Sequence, residues 1–161
     1  MSQAGVIDGL QFARGALERR GLLGMEHLPR LAQMQCSTDG LGYFLRGGMT
    51  SEGKPFLRIS VGGSAQLVCQ RCLGVLQVPL ALDVELQLTE SLREIAEADD
   101  DVERALASRT MKIEQLVEDE VILALPMVPR HETCASAGPA TQARTSPFGA
   151  LAALNRGGAQ K

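Results

Sequence analysis

Two short motifs hold most of the chain's chemically competent side chains. Cys69-Gln70-Arg71-Cys72 sets two thiols three residues apart, a spacing that lets both sulfurs turn toward one point, as a zinc knuckle or a redox dithiol requires. His131-Glu132-Thr133-Cys134 repeats that spacing later, with an imidazole in place of the first thiol. Pooled, the motifs offer three thiolates and one imidazole, a closed tetrahedral set for Zn2+. The 58 intervening residues are far more than a zinc finger uses, so the pairs meet only if the fold brings them together. Cys36 is a competing fourth ligand. Two other readings of Cys69 and Cys72 stand beside the metal site: plain buried small hydrophobes, and a thiol-redox pair. A thioredoxin-like pair opens a helix after a strand, whereas here Leu73-Gly74 leads into another strand-like run. No nucleophile, base and orienter can be assembled around His27 and His131, the two histidines. A non-enzyme is the expectation.

The elements that must position these residues read as α+β. The expectation is an antiparallel β-rich core, as a hairpin meander or partly closed barrel, with one main amphipathic helix and short terminal helices. Residues 1–134 form a single domain on this reading, and 1–34 are a segment that packs onto the sheet. Within it Ala13–Arg20 suggests a short helix, with Ala16 and Leu17 inward and Gly21 as its stop. Leu28, Leu31 and Met34 suggest a second helix with Pro29 in its first turn. The basic cluster Arg14, Arg19 and Arg20 is a solvated face or a surface for RNA or a partner.

Residues 35–90 alternate with period two. Leu57, Ile59 and Val61 point one way and Phe56, Arg58, Ser60 and Gly62 the other, with a break or bulge expected at Gly62-Gly63. Strands flanking Cys69–Cys72 make a hairpin with the thiols at its tip. Pro79 belongs on an edge or at a bulge. Residues 91–110, with Glu94, Glu97, Asp99, Asp100, Asp101 and Glu103, read as an acidic mobile loop or weak helix. Residues 112–125 are the best helix: Ile113, Leu116, Val117, Val121 and Ala124 inward, Glu114, Glu118 and Asp119 outward. Glu120 sits beside the stripe as a boundary residue or an arginine's partner. Pro126 ends the helix, and 126–134 is the turn that carries the second ligand pair. Residues 135–161 are a flexible linker and a short C-terminal helix, capped by Ser146 and Pro147. Its Phe148, Leu151 and Leu154 share one face, a docking surface for the domain itself or for a partner.

Composition narrows the function classes. The 161 residues suffice for one domain with a real core, but with four Phe, one Tyr and no Trp that core is aliphatic. Four cysteines without a signal-peptide pattern suit a reducing cytoplasm. No apolar run reaches the ~20 residues of a membrane span. Residues 1–81 carry eight Lys/Arg against five Asp/Glu, and residues 82–161 carry eight against fourteen. That balance excludes binding of nucleic acid by bulk attraction to phosphate and leaves room for local contact in the N-terminal half.

Three stretches, in order, carry a family likeness: Cys69-Gln70-Arg71-Cys72, then Val117–Pro126 with Val128-Pro129, then Ser146-Pro147-Phe148. Leu28-Pro29-Arg30-Leu31 and Cys36 add to it. The chain resembles the YceD family, the large ribosomal RNA subunit accumulation proteins. Many such relatives have a fuller cysteine set after the proline-rich turn, where this chain has His131 and Cys134. The resemblance implies a non-catalytic, cytoplasmic factor supporting the synthesis, processing or stability of large-subunit (23S) ribosomal RNA in ribosome biogenesis. Its partners would be that RNA or a ribosomal or assembly protein. A protein–protein adaptor working through the C-terminal helix is the alternative.

Overall fold

A computed structural model describes residues 5–134. In chain order the elements are β1 (Val6–Ile7), α1 (Gly9–Arg14), β2 (Glu18–Leu23), a 3-10 turn (Met25–His27), α2 (Pro29–Gln33), β3 (Leu41–Met49), β4 (Pro55–Val68), β5 (Val75–Thr89), α3 (Leu92–Ala96), β6 (Arg104–Leu106), β7 (Met111–Lys112) and α4 (Ile113–Ala124). The architecture is α+β. β2 to β5 form an antiparallel meander, β6 adds parallel to β5, and the five-stranded sheet stays open with β2 and β6 at its edges. It does not close into a barrel. β1 and β7 make a separate two-stranded ribbon. Among the described residues no helix is long and apolar enough to cross a membrane.

The period-two pattern explains which face is buried. Leu41, Tyr43 and Leu45 of β3, Leu57, Ile59, Val61, Ala65 and Leu67 of β4, and Leu80, Leu86 and Leu88 of β5 line one face, where α1 and α4 pack. The opposite face is uncovered among the described residues, as one side of an antiparallel sheet commonly is. Gly62-Gly63 does not interrupt β4. The β4–β5 register runs without a slip from Phe56↔Gln87 to Val68↔Val75. The inward phase set by Leu57 therefore passes through Gly63 to Ala65, Leu67 and Cys69. Gly63 is needed for another reason: its φ is +154°, and a Cβ there would lie 3.0 Å from the Gly40 carbonyl oxygen. Pro79 pairs with Ser64 where β5 has no neighbour on its other side, since β6 reaches only Gln87–Thr89. Its missing N–H is therefore tolerated on an edge.

The N-terminal segment differs most from its local pattern. Asp8 caps a helix that begins earlier than expected, its carboxylate accepting the Gln11 N–H at 3.0 Å, and that helix stops at Arg14. Ala16 (φ 45°) then turns the chain. Glu18–Arg20, expected to end a helix stopped at Gly21, instead begin β2, which pairs with β3 from Glu18↔Arg46 to Leu23↔Leu41. Cross-strand pairing outweighs the weak helical preference of an eight-residue run. Gly21 is a strand position under the Tyr43 ring, with no room for a Cβ. Met34, which shares the spacing of the buried Leu28 and Leu31, is 49% exposed. Residues 91–110 hold α3, in keeping with the weak-helix alternative expected there, and β6, which was not expected.

α1 rests on β3 at Gly47, where a Cβ would lie 2.4 Å from the Phe12 carbonyl oxygen. Backbone cannot step aside there, so Gly47→Ala should destabilise by about 1–3 kcal/mol through overpacking. Gly62→Ala, with nothing within 4 Å of its Cβ, should be neutral or better. Urea midpoints of the two variants measure the contrast.

Candidate metal centre

β4 and β5 deliver the first pair of ligands. Their ladder closes at Val68↔Val75, and residues 69–74 form the tip. There the Cys69 N–H donates to the Gly74 carbonyl at 2.9 Å and the Leu73 N–H to the Cys69 carbonyl at 2.9 Å. Leu73 takes a left-handed φ of 60° to make the turn. Cys69 continues the inward phase of β4 and is fully buried, while Cys72 is exposed.

α4 delivers the second pair. Leu125 leaves the helix with extended geometry (φ −66°, ψ 141°) before Pro126, and the chain runs back to the tip. The Gln70 N–H donates to the Pro129 carbonyl at 2.8 Å. The Arg71 guanidinium reaches the His131 and Glu132 carbonyls at 3.2 and 3.3 Å.

The four donor atoms of Cys69, Cys72, His131 and Cys134 all lie within 4.8 Å of one another. Cys69 Sγ is 3.7 Å from Cys134 Sγ, Cys72 Sγ is 3.3 Å from His131 Nδ1, and Cys134 Sγ is 4.0 Å from His131 Nδ1. A tetrahedral zinc ion with ordinary bond lengths separates two sulfurs by about 3.8 Å and a sulfur from a nitrogen by about 3.5 Å. The sulfur–sulfur separation of 3.7 Å matches and the sulfur–nitrogen separations of 3.3 and 4.0 Å bracket those values, so the donor spacing fits such an ion. His131 Nε2 lies 2.9 Å from the Val75 carbonyl oxygen. Nε2–H can only donate there, which leaves Nδ1 as the lone-pair nitrogen facing the thiols.

Electrostatics favour ionised sulfur. Burial pushes the Cys69 thiol up, but the backbone N–H groups of Cys72, His131 and Arg71, with the Cys72 side chain, outweigh it and bring it down to about 5. Arg71 Nε donates to Cys134 Sγ at 2.9 Å and is the main cause of that thiol's lowered value. For Cys72 the Gly74 amide pulls downward, but burial and the neighbouring Cys69 and Cys134 sulfurs raise the thiol overall. His131 is raised by its bonds to Cys134 and then Cys69. Three thiolates around a dication leave one net negative charge, which the Arg71 guanidinium offsets.

Cys36, the alternative fourth ligand, does not join the donor cluster. It lies in the hydrophobic core at 3% exposure, and burial raises its thiol. Arg14, Arg19 and Arg20 do not share a face. Arg14 ends α1, on the covered side of the sheet. Alternation along β2 puts Arg20 on the outer face beside Phe44 and Arg19 on the other, near Tyr43. The proposed docking residues Phe148, Leu151 and Leu154 lie outside the described residues.

Two features of the site were not anticipated from sequence. Arg71 was visible as the residue before Cys72, yet its clasp on the second motif depends on the two turns meeting. Glu118, expected to face solvent, is 2% exposed. Its carboxylate accepts the Arg30 and Leu31 N–H groups at 2.7 and 3.0 Å and Arg30 Nε at 2.9 Å, locking α2 onto the helix that leads to His131. Glu120 is buried, and burial, then Glu103 and Asp119, raise its carboxyl. Among the described residues no arginine pairs with it. Ala124 is exposed.

A family model described as Large ribosomal RNA subunit accumulation protein YceD matches residues 57–155, which is 99 of the 161 residues and takes in both ligand pairs and α4. No curated protein and no solved structure matches the chain.

Proposed function

From the premise that the chain belongs to the YceD family, we propose that it is a non-catalytic, cytoplasmic factor supporting the synthesis, processing or stability of large-subunit ribosomal RNA. The family match carries this reading, since the family's own description names accumulation of that RNA. The donor set supports the non-catalytic part. Four protein ligands close a tetrahedral zinc site and leave no position for water or substrate, which is the pattern of structural rather than catalytic zinc. In this reading the ion, held by Cys69, Cys72, His131 and Cys134, fastens the hairpin tip to the turn after α4.

A dithiol redox role finds no support. Within the Cys69/Cys72 pair the lowered thiol is the fully buried Cys69 and the exposed Cys72 is raised, whereas a redox pair exposes its attacking sulfur.

Crosslinking followed by pull-down from growing cells, with RNA and protein identified together, tests the assignment. Large-subunit RNA, or a protein that assembles on it, should be enriched at least severalfold, and deleting the gene should lower large-subunit RNA relative to small-subunit RNA. An unchanged RNA ratio, with no large-subunit component captured, would contradict it.

A further inference from the structure

One row on the outer face of the sheet breaks the polar pattern. Leu22, Gly42, Gly62 and Ala81 stand in register across β2 to β5, and three of the four carry little or no side chain. Gly42, Gly62 and Ala81 floor an open cleft of about 860 Å³, walled by Phe44, Asp83 and Arg20, with Leu22 beyond its rim. Leu22 is 65% exposed and Phe44 37% exposed. Arg58 pairs with Asp83 at 2.6 Å and Arg46 with Glu18 at 3.7 Å; Arg20 has no ion pair among the described residues, but Glu85, in register with Arg58, brings the face to three cations against three acids. A face so neutralised is a poor seat for a phosphate backbone and a good one for an apolar segment.

We infer that residues 146–154 of the same chain occupy this cleft, with Phe148, Leu151 and Leu154 laid on the Gly42–Gly62–Ala81 floor. Reach, composition and charge agree. Cys134 ends the described chain at the hairpin tip, and the floor lies six residues along β4 from Val68, about 20 Å at strand spacing. Residues 135–145 span at most about 36 Å when extended and roughly 18 Å as a flexible coil. That is enough to pass round the free edge of β5 onto the outer face. Phe148, Leu151 and Leu154 are the large apolar residues of 135–161, and a segment this short holds its shape only against a surface. Residues 135–161 contain three of the sixteen Lys/Arg and none of the nineteen Asp/Glu. A cationic tail thus faces a body in which thirteen cations meet nineteen acids. The family match also runs through Leu154, so the segment belongs to the same unit as the sheet. The inference needs neither the ribosomal assignment nor a bound ion.

The test places the photo-crosslinker p-benzoylphenylalanine at position 148 of the purified full-length chain. Irradiation should give crosslinks within one chain to peptides bearing Phe44, Gly62 or Ala81. Gly62→Arg, which fills the floor from a position with open space around its Cβ, should cut their yield at least fivefold with the circular dichroism spectrum unchanged. Ala81→Arg serves as a second variant if Gly62→Arg does not fold. Crosslinks joining two chains would assign the cleft to a second copy and overturn the inference. So would crosslinks that avoid the cleft, or a yield indifferent to both substitutions.

Discussion

Stripping the metal, or replacing Cys69 or Cys134 by serine, is expected to remove most of the protein's stability. Structural zinc contributes on the order of 10 kcal/mol to folding in small domains, and a whole domain is stable by only about 5–15 kcal/mol. The segments it would tie, 69–74 and 129–134, are otherwise joined by the Gln70–Pro129 bond and the Arg71 contacts to the late turn. A strong chelator at neutral pH should therefore lower the melting midpoint by well over ~10 °C. Amide exchange should rise first around 66–78 and 126–134. Acid acts in the same direction. Cys72 and His131 both have raised values, so each holds its proton to higher pH than usual and must give it up to bind the ion. Affinity should fall steadily as pH drops from about 8 to 5. A metal-free protein that melts at the same temperature, with both serine variants equally stable, would show that packing alone holds the turns together.

Glu118→Ala is expected to be the most damaging substitution away from the cysteines, at about 3–5 kcal/mol. The carboxylate is buried, and its removal strands the Arg30 and Leu31 N–H groups at the start of α2, where no helical carbonyl can receive them. Glu118→Gln keeps an acceptor for those groups and loses the charge facing Arg30, so it should cost about half as much. Asp119 also contacts Arg30, at 2.5 Å, but is half exposed. Asp119→Ala should cost no more than about 1 kcal/mol. Urea denaturation of the three variants orders these effects, and equal losses at 118 and 119 would remove the claim that burial sets the difference.

What could be read in advance was whatever depends on local periodicity. Leu57, Ile59 and Val61 announced a half-buried strand, Cys69 and Cys72 a hairpin tip, and Pro126 the end of α4. These follow from side-chain alternation and proline geometry, which need no knowledge of neighbours. The misses share a cause. Glu18–Leu23 became a strand because β3 lay beside it, not because its residues demand extended backbone. Arg104–Leu106 sits in an acidic stretch whose composition hides a three-residue strand added in parallel to β5. Glu118 flanks the apolar stripe of α4, and only the arrival of Arg30 on the same side makes it a core residue. Cys36, in the hydrophobic core, stood as an alternative fourth ligand until the sheet placed it elsewhere. Likewise the closure of the 58-residue gap between the thiol pairs is a property of β5, α3, β6 and α4 acting together, and no spacing rule contains it.

X-ray absorption at the zinc edge, with metal stoichiometry measured on the same protein as purified from cells, decides whether Cys69, Cys72, His131 and Cys134 hold an ion. One zinc per chain is expected, with three sulfurs at about 2.3 Å and one nitrogen at about 2.0 Å. The nitrogen scatterer should be lost in His131→Ala and the sulfur count should fall by one in Cys134→Ser. A shell of oxygen and nitrogen alone, or metal far below one per chain in a protein that is nonetheless folded, would contradict that expectation.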